Sequence, residues 1–187
     1  MAERHGGGRL HGEMRRNLIP PEAVLESMNI AAGDIVLDIG AGTGYFAIPA
    51  ARFVGENGRV IASDISVASL AELKMQLPPS NSVVQVLECD IGGVDLPDAS
   101  VDKILMAFVL HEIADKPSYL REVKRLLKPG GELTIVEWDA VDSPMGPPLS
   151  DRIDHPSVLS LAERAGLRQV RYSKPNDYHY LCALKAE

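Results

Sequence analysis

The chain has 187 residues, 45% of them hydrophobic and 24% charged, with a formal net charge of −7. That length suits a single domain whose core needs no disulfide or metal staple. The acidic balance disfavours a surface built to grip nucleic-acid phosphates, and the longest apolar run, residues 104–110, falls far short of the about 20 residues a membrane span needs. Cys89 and Cys182 stand far apart in apolar segments and make neither a disulfide framework nor a four-ligand metal site. The first sixteen residues show no apolar stretch behind their charges and do not read as a secretory signal. A cytoplasmic setting is therefore expected, without nucleic acid, membrane span or metal.

Residues 1–19 are polar and glycine-rich, with Arg4, Arg9, Arg15 and Arg16 against only Glu3 and Glu13. They read as a flexible basic arm, with residues 20–187 as the domain. Pro20-Pro21 opens a short amphipathic helix over 22–28, ended by Ala31-Ala32-Gly33. Strands and helices then alternate. Residues 35–39 form an apolar strand running into glycines, and 45–54 a helix that Pro49 bends or confines to a loose first turn. A second strand over 59–63 precedes a helix over 66–76 with Val67, Leu70, Leu73 and Leu77 on one face, stopped by Pro78-Pro79. Residues 83–87 and 101–108 are the third and fourth strands. Asp115 caps a helix whose buried stripe is Leu120, Val123 and Leu127, and Lys128-Pro129-Gly130-Gly131 turns the chain into a fifth strand over 132–137. A helix over 154–165, closed by Gly166, leads to two strands, 167–172 and 178–184, with no helix between them. This order calls for an α/β fold, a mostly parallel doubly wound sheet with an antiparallel hairpin on one edge.

The informative stretch is Val36-Leu37-Asp38-Ile39-Gly40-Ala41-Gly42-Thr43-Gly44-Tyr45. A strand ending in glycines turns sharply and brings backbone N–H groups close to a ligand at the next helix N-terminus. The dinucleotide fingerprint G-x-G-x-x-G/A fails at its sixth position, Tyr45. An acid two residues before Gly40 suits a ligand carrying an ammonium and a sulfonium and repels a pyrophosphate. Asp64, ending the second strand, is placed to accept ribose hydroxyls. Asp90 ends the third strand where it can take an adenine amine, beside the Ile91 N–H. Ile65 and Ala107 occupy the carboxyl ends of the second and fourth strands, where α/β sheets bind ligands.

With these motifs in order, the chain resembles the class I S-adenosylmethionine-dependent methyltransferases, specifically the small type 11 group that includes ubiquinone/menaquinone-biosynthesis C-methyltransferase-like proteins. The resemblance runs from about residue 20 to 184 and rests on VLDIGAGTG, ASDIS, ECDI, LPDASVDKILMAFVLHEI and LKPGGELTIVEW. It implies a Rossmann-like seven-stranded sheet in the order 3-2-1-4-5-7-6, with strand seven antiparallel. It also implies that Asp38, Gly40, Gly42 and Gly44 hold the methionine end of the cofactor, Asp64 the ribose, and Asp90 and Ile91 the adenine.

Methyl transfer from a sulfonium is an in-line displacement, so alignment and water exclusion dominate and a base serves only where the nucleophile must lose a proton. His111 and Glu112, just after the fourth strand, are the catalytic candidates: His111 as a base with Glu112 orienting or replacing it, or His111 as a packing residue. Trp138 lines an acceptor pocket or sits half-buried in the core. The long segment around Pro144-Met145-Gly146-Pro147-Pro148 is a lid or a stiff connector. His5, His11, Arg15 and Arg16 either fold over the pocket to bind an anionic acceptor or belong to a loose tail. The fourth strand is followed by Ala107-Phe108-Val109-Leu110, without an Asn-Pro-Pro-Tyr motif or a metal-binding acid, and the two cysteines are not a pocket thiol set. The expectation is a metal-free transferase acting on a small molecule, with a homodimer through a sheet edge or helix as a plausible assembly. An idle S-adenosylmethionine-binding module or partner subunit is the alternative, and a nicotinamide oxidoreductase is opposed by Tyr45 and the paired acids Asp38 and Asp64.

Overall fold

A computed structural model describes residues 14–186. Seven strands form one sheet: β1 (Ile35–Ile39), β2 (Arg59–Asp64), β3 (Val84–Glu88), β4 (Val101–Ala107), β5 (Leu127–Trp138), β6 (Leu167–Asn176) and β7 (His179–Ala186). Their order is β3-β2-β1-β4-β5-β7-β6, and β7 pairs antiparallel with both β5 and β6 while the other ladders are parallel. Among the described residues a helical segment at 14–18 precedes five α-helices: α1 (Pro21–Ser27), α2 (Ala47–Val54), α3 (Val67–Gln76), α4 (Lys116–Leu126) and α5 (His155–Arg164). Among the described residues no helix is long and apolar enough to cross a membrane.

Successive strand side chains point to opposite faces, so the central strands are largely apolar and divide their side chains between two cores. Leu37, Ile39, Ile104 and Met106 pack on one side with Leu120 and Val123 of α4 and Val158 of α5. Val36, Leu105 and Ala107 pack on the other with Val24 and Leu25 of α1, Ala47 and Ala50 of α2 and Leu73 of α3. Helix starts follow their sequence signals. Asp115 accepts from the Ser118 N–H at 3.1 Å and Asp154 from the Ser157 N–H at 3.0 Å. Pro49 is the third residue of α2, where its missing N–H would have had no intrahelical partner.

Several boundaries differ from those read in the sequence. Residues 14–18, assigned to a flexible arm, are helical, and Ile19 is only 1% exposed within the second core. His5 and His11 lie outside the described residues. β5 begins at Leu127, because Leu127 pairs with Val101 before a register shift carries the strand through Gly130 and Gly131. β6 continues to Asn176, so only Asp177 and Tyr178 make the final turn. Val67, expected on the buried face of α3, is 59% exposed, since α3 packs through Leu70 and Leu73.

Candidate active site

The carboxyl ends of the strands open into a cavity of about 580 Å³. Its floor is the glycine turn after β1. Gly40 has φ +72°, and a Cβ there would fall 2.3 Å from Val109 Cγ2, so only glycine lets the turn pass under the segment after β4. The N–H groups of Gly40 and Ala41 both donate to the Ser63 carbonyl, at 2.8 and 2.9 Å. Asp64 secures the rest of the loop: its Oδ2 accepts from the Gly42 N–H and its Oδ1 from the Ser66 N–H, each at 2.8 Å. A carboxylate has about four acceptor sites, so Asp64 can brace the loop and still present lone pairs to the cavity it lines.

Gly40, Asp64, Ile65, Asp90, Ile91, Ala107 and Glu112 all face this cavity. Asp38, Gly42, Gly44 and His111 do not wall it. Asp38 lies beneath the loop, 2% exposed, with Oδ2 lacking a partner among the described residues. Burial pushes its pKa up to about 7, against the pull of the Arg15 guanidinium and the Ala47 N–H. Ile65 and Ile91 are 60% and 72% exposed and form the rim.

His111 sits in a short 3₁₀ turn, Leu110–Glu112, turned toward the protein interior. Its Nδ1 lies 2.8 and 3.1 Å from the two carboxylate oxygens of Glu137, and its backbone N–H donates to Glu137 Oε1 at 3.1 Å. The Glu137 side chain is fully buried, and its hydrogen bond raises the His111 pKa above the ordinary value. Nε2 of His111 is 3.9 Å from Glu112 Oε1. Glu137 stands next to last in β5, directly after Ile135 and Val136, a charge following an apolar stretch and the one sequence signal by which it could have been found.

Other walls were weakly signalled or unsignalled. Arg15 is the only lysine or arginine among the described residues lining the cavity, and its guanidinium lies 4.1 Å from the Tyr45 ring centroid and 5.5 Å from that of Phe108. Burial lowers its pKa. Arg16 instead reaches Glu22 at 3.7 Å. Phe108 holds φ +62°, a strained backbone for a non-glycine residue. Trp138 lines the cavity and packs against His179, their ring centroids 4.0 Å apart and their planes tilted by 46°.

The profile of the type 11 family, described as "Methyltransferase domain", matches residues 37–135, just over half of the chain. The "Ubiquinone/menaquinone biosynthesis C-methyltransferase UbiE" of Cellvibrio japonicus is 35% identical over 116 residues, 61% of this chain and 47% of that protein. The protein of the same name from Serratia proteamaculans is 30% identical over 159 residues, 84% of this chain and 61% of its own length. The chain thus spans about half the length of several curated relatives it matches. A solved "SAM dependent methyltransferase from Aquifex aeolicus" superposes with a TM-score of 0.86 at 29% identity, covering 97% of this chain and 98% of its own. With its glycine turn, its strand-end acids and its strand order, the chain belongs to the type 11 methyltransferase-domain family, class I by fold.

Proposed function

We propose that the chain transfers the methyl group of S-adenosylmethionine to a small-molecule acceptor by in-line displacement. The observation that carries this reading is the set of acids at the strand ends around the glycine turn, Asp38, Asp64 and Asp90, with no glycine at Tyr45 for a pyrophosphate. The site fits the cofactor. Gly40 leaves a cradle that a Cβ would fill, Asp64 retains free lone pairs, and Asp38 Oδ2 is an orphaned buried acceptor beneath a site for a cationic amino-acid end. Arg15, set over Tyr45 beside the turn, supplies the countercharge for the cofactor's carboxylate. When bound, S-adenosylmethionine supplies an electrophilic methyl group on a sulfonium. The protein's share is to align the acceptor and exclude water. Where the nucleophile carries a proton, Glu112 at the cavity wall takes it at its carboxylate. His111, anchored by Glu137, sets Nε2 3.9 Å from Glu112 Oε1, where a protonated imidazole attracts the carboxylate without a hydrogen bond. A quinol-like acceptor methylated on carbon, as the names of the relatives suggest for those proteins, is one member of the small-molecule class the cavity volume allows.

The test is thermal unfolding with S-adenosylmethionine, S-adenosylhomocysteine or NADH, beside the Asp64→Ala variant. A ligand at about 100 times its Kd adds roughly 2.7 kcal/mol, or about 5–10 °C for a chain of this size. A shift with the adenosyl compounds alone, lost in Asp64→Ala, is the expected result. A shift with NADH alone overturns the reading.

A further inference from the structure

The cofactor residues named above occupy the β1–β2–β3 side of the cavity. The other side, over β4, β5 and β7, is a separate construction. His179, the first residue of β7, pairs with Trp138, the last of β5, so the register places the two rings together. Phe108 completes an aromatic corner, its centroid 5.4 Å from that of His179 and 6.0 Å from that of Trp138. The segment after β5 folds back over the indole at Gly146, which has φ +92°; a Cβ there would come 2.8–2.9 Å from the indole atoms. Arg152 pins that segment. It donates to the carbonyls of Pro147 at 3.0 Å, Val141 at 2.7 Å and Met145 at 2.9 Å, and to Ser143 Oγ at 2.7 Å, with its guanidinium 5.1 Å from the Trp138 ring centroid. An aromatic slot is therefore held in place by the hydrogen-bonded β5–β7 register and by a four-bond strap.

One polar atom in this slot has a fixed character. Asn176 Nδ2 donates to the Leu18 carbonyl at 2.7 Å, and the Tyr178 N–H donates to Asn176 Oδ1 at 3.0 Å, which sets the amide orientation. His179 Nδ1, 2.8 Å from the same Oδ1, must then carry the hydrogen. Nε2 is left as the unprotonated nitrogen. It has no partner among the described residues, and His179, although only 1% exposed, lines the cavity. Burial, reinforced by the charges of Arg152 and Arg15, holds the imidazole pKa near about 4, so the ring is neutral at physiological pH.

Resting on the methyltransferase reading, we infer that this slot is the acceptor subsite and takes a planar, neutral acceptor that donates an O–H or N–H hydrogen bond to His179 Nε2. The ring stacks against Trp138 and Phe108, and the hydrogen bond sets which atom of the acceptor is presented along the line of transfer. His179 is a positioning and specificity residue, since a lone pair in an apolar corner is left unpaired by any acceptor lacking the donor.

Trp138 is the chain's single tryptophan, so its fluorescence reads this slot directly. The protein saturated with S-adenosylhomocysteine is titrated at pH 6.5 with 4-cyanophenol, with 4-methoxybenzonitrile, its methylated counterpart, and with cyclohexanol, a non-planar donor. One hydrogen bond is worth about tenfold in affinity. 4-Cyanophenol should quench saturably and bind about tenfold more tightly than either comparator. In His179→Phe the two aromatic probes should converge to within about twofold, with S-adenosylhomocysteine affinity kept. That affinity reports on the cofactor reading separately. Equal binding of the two aromatic probes by the wild-type protein, no quenching by either, or a preference that survives in His179→Phe overturns the inference. Should His179→Phe fail to fold, the ¹⁵N-histidine spectrum of the wild-type protein decides. A pyridine-type Nε2 that shifts with 4-cyanophenol and not with 4-methoxybenzonitrile is expected; no such nitrogen, or no shift, refutes it.

Discussion

Replacing Glu137 with glutamine tests whether the turn after β4 is held by a buried ion pair. Glu137 is fully buried and accepts from the His111 N–H, from His111 Nδ1 and, at 3.3 Å, from the Trp138 N–H. Glutamine keeps the shape but places an N–H₂ group where one oxygen now faces these donors. Breaking a buried charge pair costs about 3–5 kcal/mol, and one mismatched hydrogen bond about 1–3 kcal/mol. Because His111 can shed its proton rather than stay charged and unpaired, the loss should lie near 2–4 kcal/mol, roughly 5–15 °C in Tm. The folded-state pKa of His111 is raised above 6.5 by Glu137. Its contribution is therefore complete below the unfolded-state value of about 6.5 and is lost as pH rises through the folded-state value. The gap between wild type and Glu137→Gln should be widest below pH 6.5 and narrow at alkaline pH. Urea unfolding across pH 5.5–9 measures it. A gap under about 1 kcal/mol, or one that does not change with pH, would refute the ion-pair account.

Three further outcomes follow from the site. Arg15→Met should weaken S-adenosylhomocysteine by about tenfold and leave 5′-methylthioadenosine, which lacks the amino-acid end, unaffected in calorimetry; equal losses for both would place Arg15 elsewhere. Gly40→Ala forces a Cβ to 2.3 Å from Val109 Cγ2 and should cost about 3 kcal/mol, visible as a fall in Tm of roughly 6–12 °C. Asp38, with its pKa raised to about 7, is more easily ionised in the unfolded chain, so the unliganded protein should lose stability as pH rises from about 4 to 7. Asp38→Asn should flatten that slope, which reaches at most about 1.4 kcal/mol per pH unit, and an unchanged slope in denaturant titrations would contradict it.

The alternation of short apolar runs with capped amphipathic helices was enough to order the sheet once the family resemblance supplied its topology. Strand hydrophobicity, the Asp115 and Asp154 caps and the glycine turn are local properties, written within a few residues of where they act. For the same reason part of the cavity wall was legible: Asp64 and Ala107 end their strands, Gly40 and Asp90 follow theirs by one and two residues, and strand ends in a parallel sheet converge at one edge. Boundaries that depend on pairing were not legible. β5 reaches back to Leu127 because Val101 is there to pair with it, and β6 runs on to Asn176 because β7 returns alongside.

The remaining decisions were tertiary. Nothing local distinguishes His111, whose Nδ1 meets a carboxylate 26 residues onward, from a histidine facing the cavity. Nor does the sequence show that Arg15 lies over Tyr45, or that Asn176, held by the Leu18 carbonyl 158 residues away, fixes the tautomer of His179. Those contacts join segments that only the closed sheet brings together. Strand-end chemistry follows from the order of elements along the chain, whereas burial, side-chain direction and protonation depend on which distant groups the fold sets against each one.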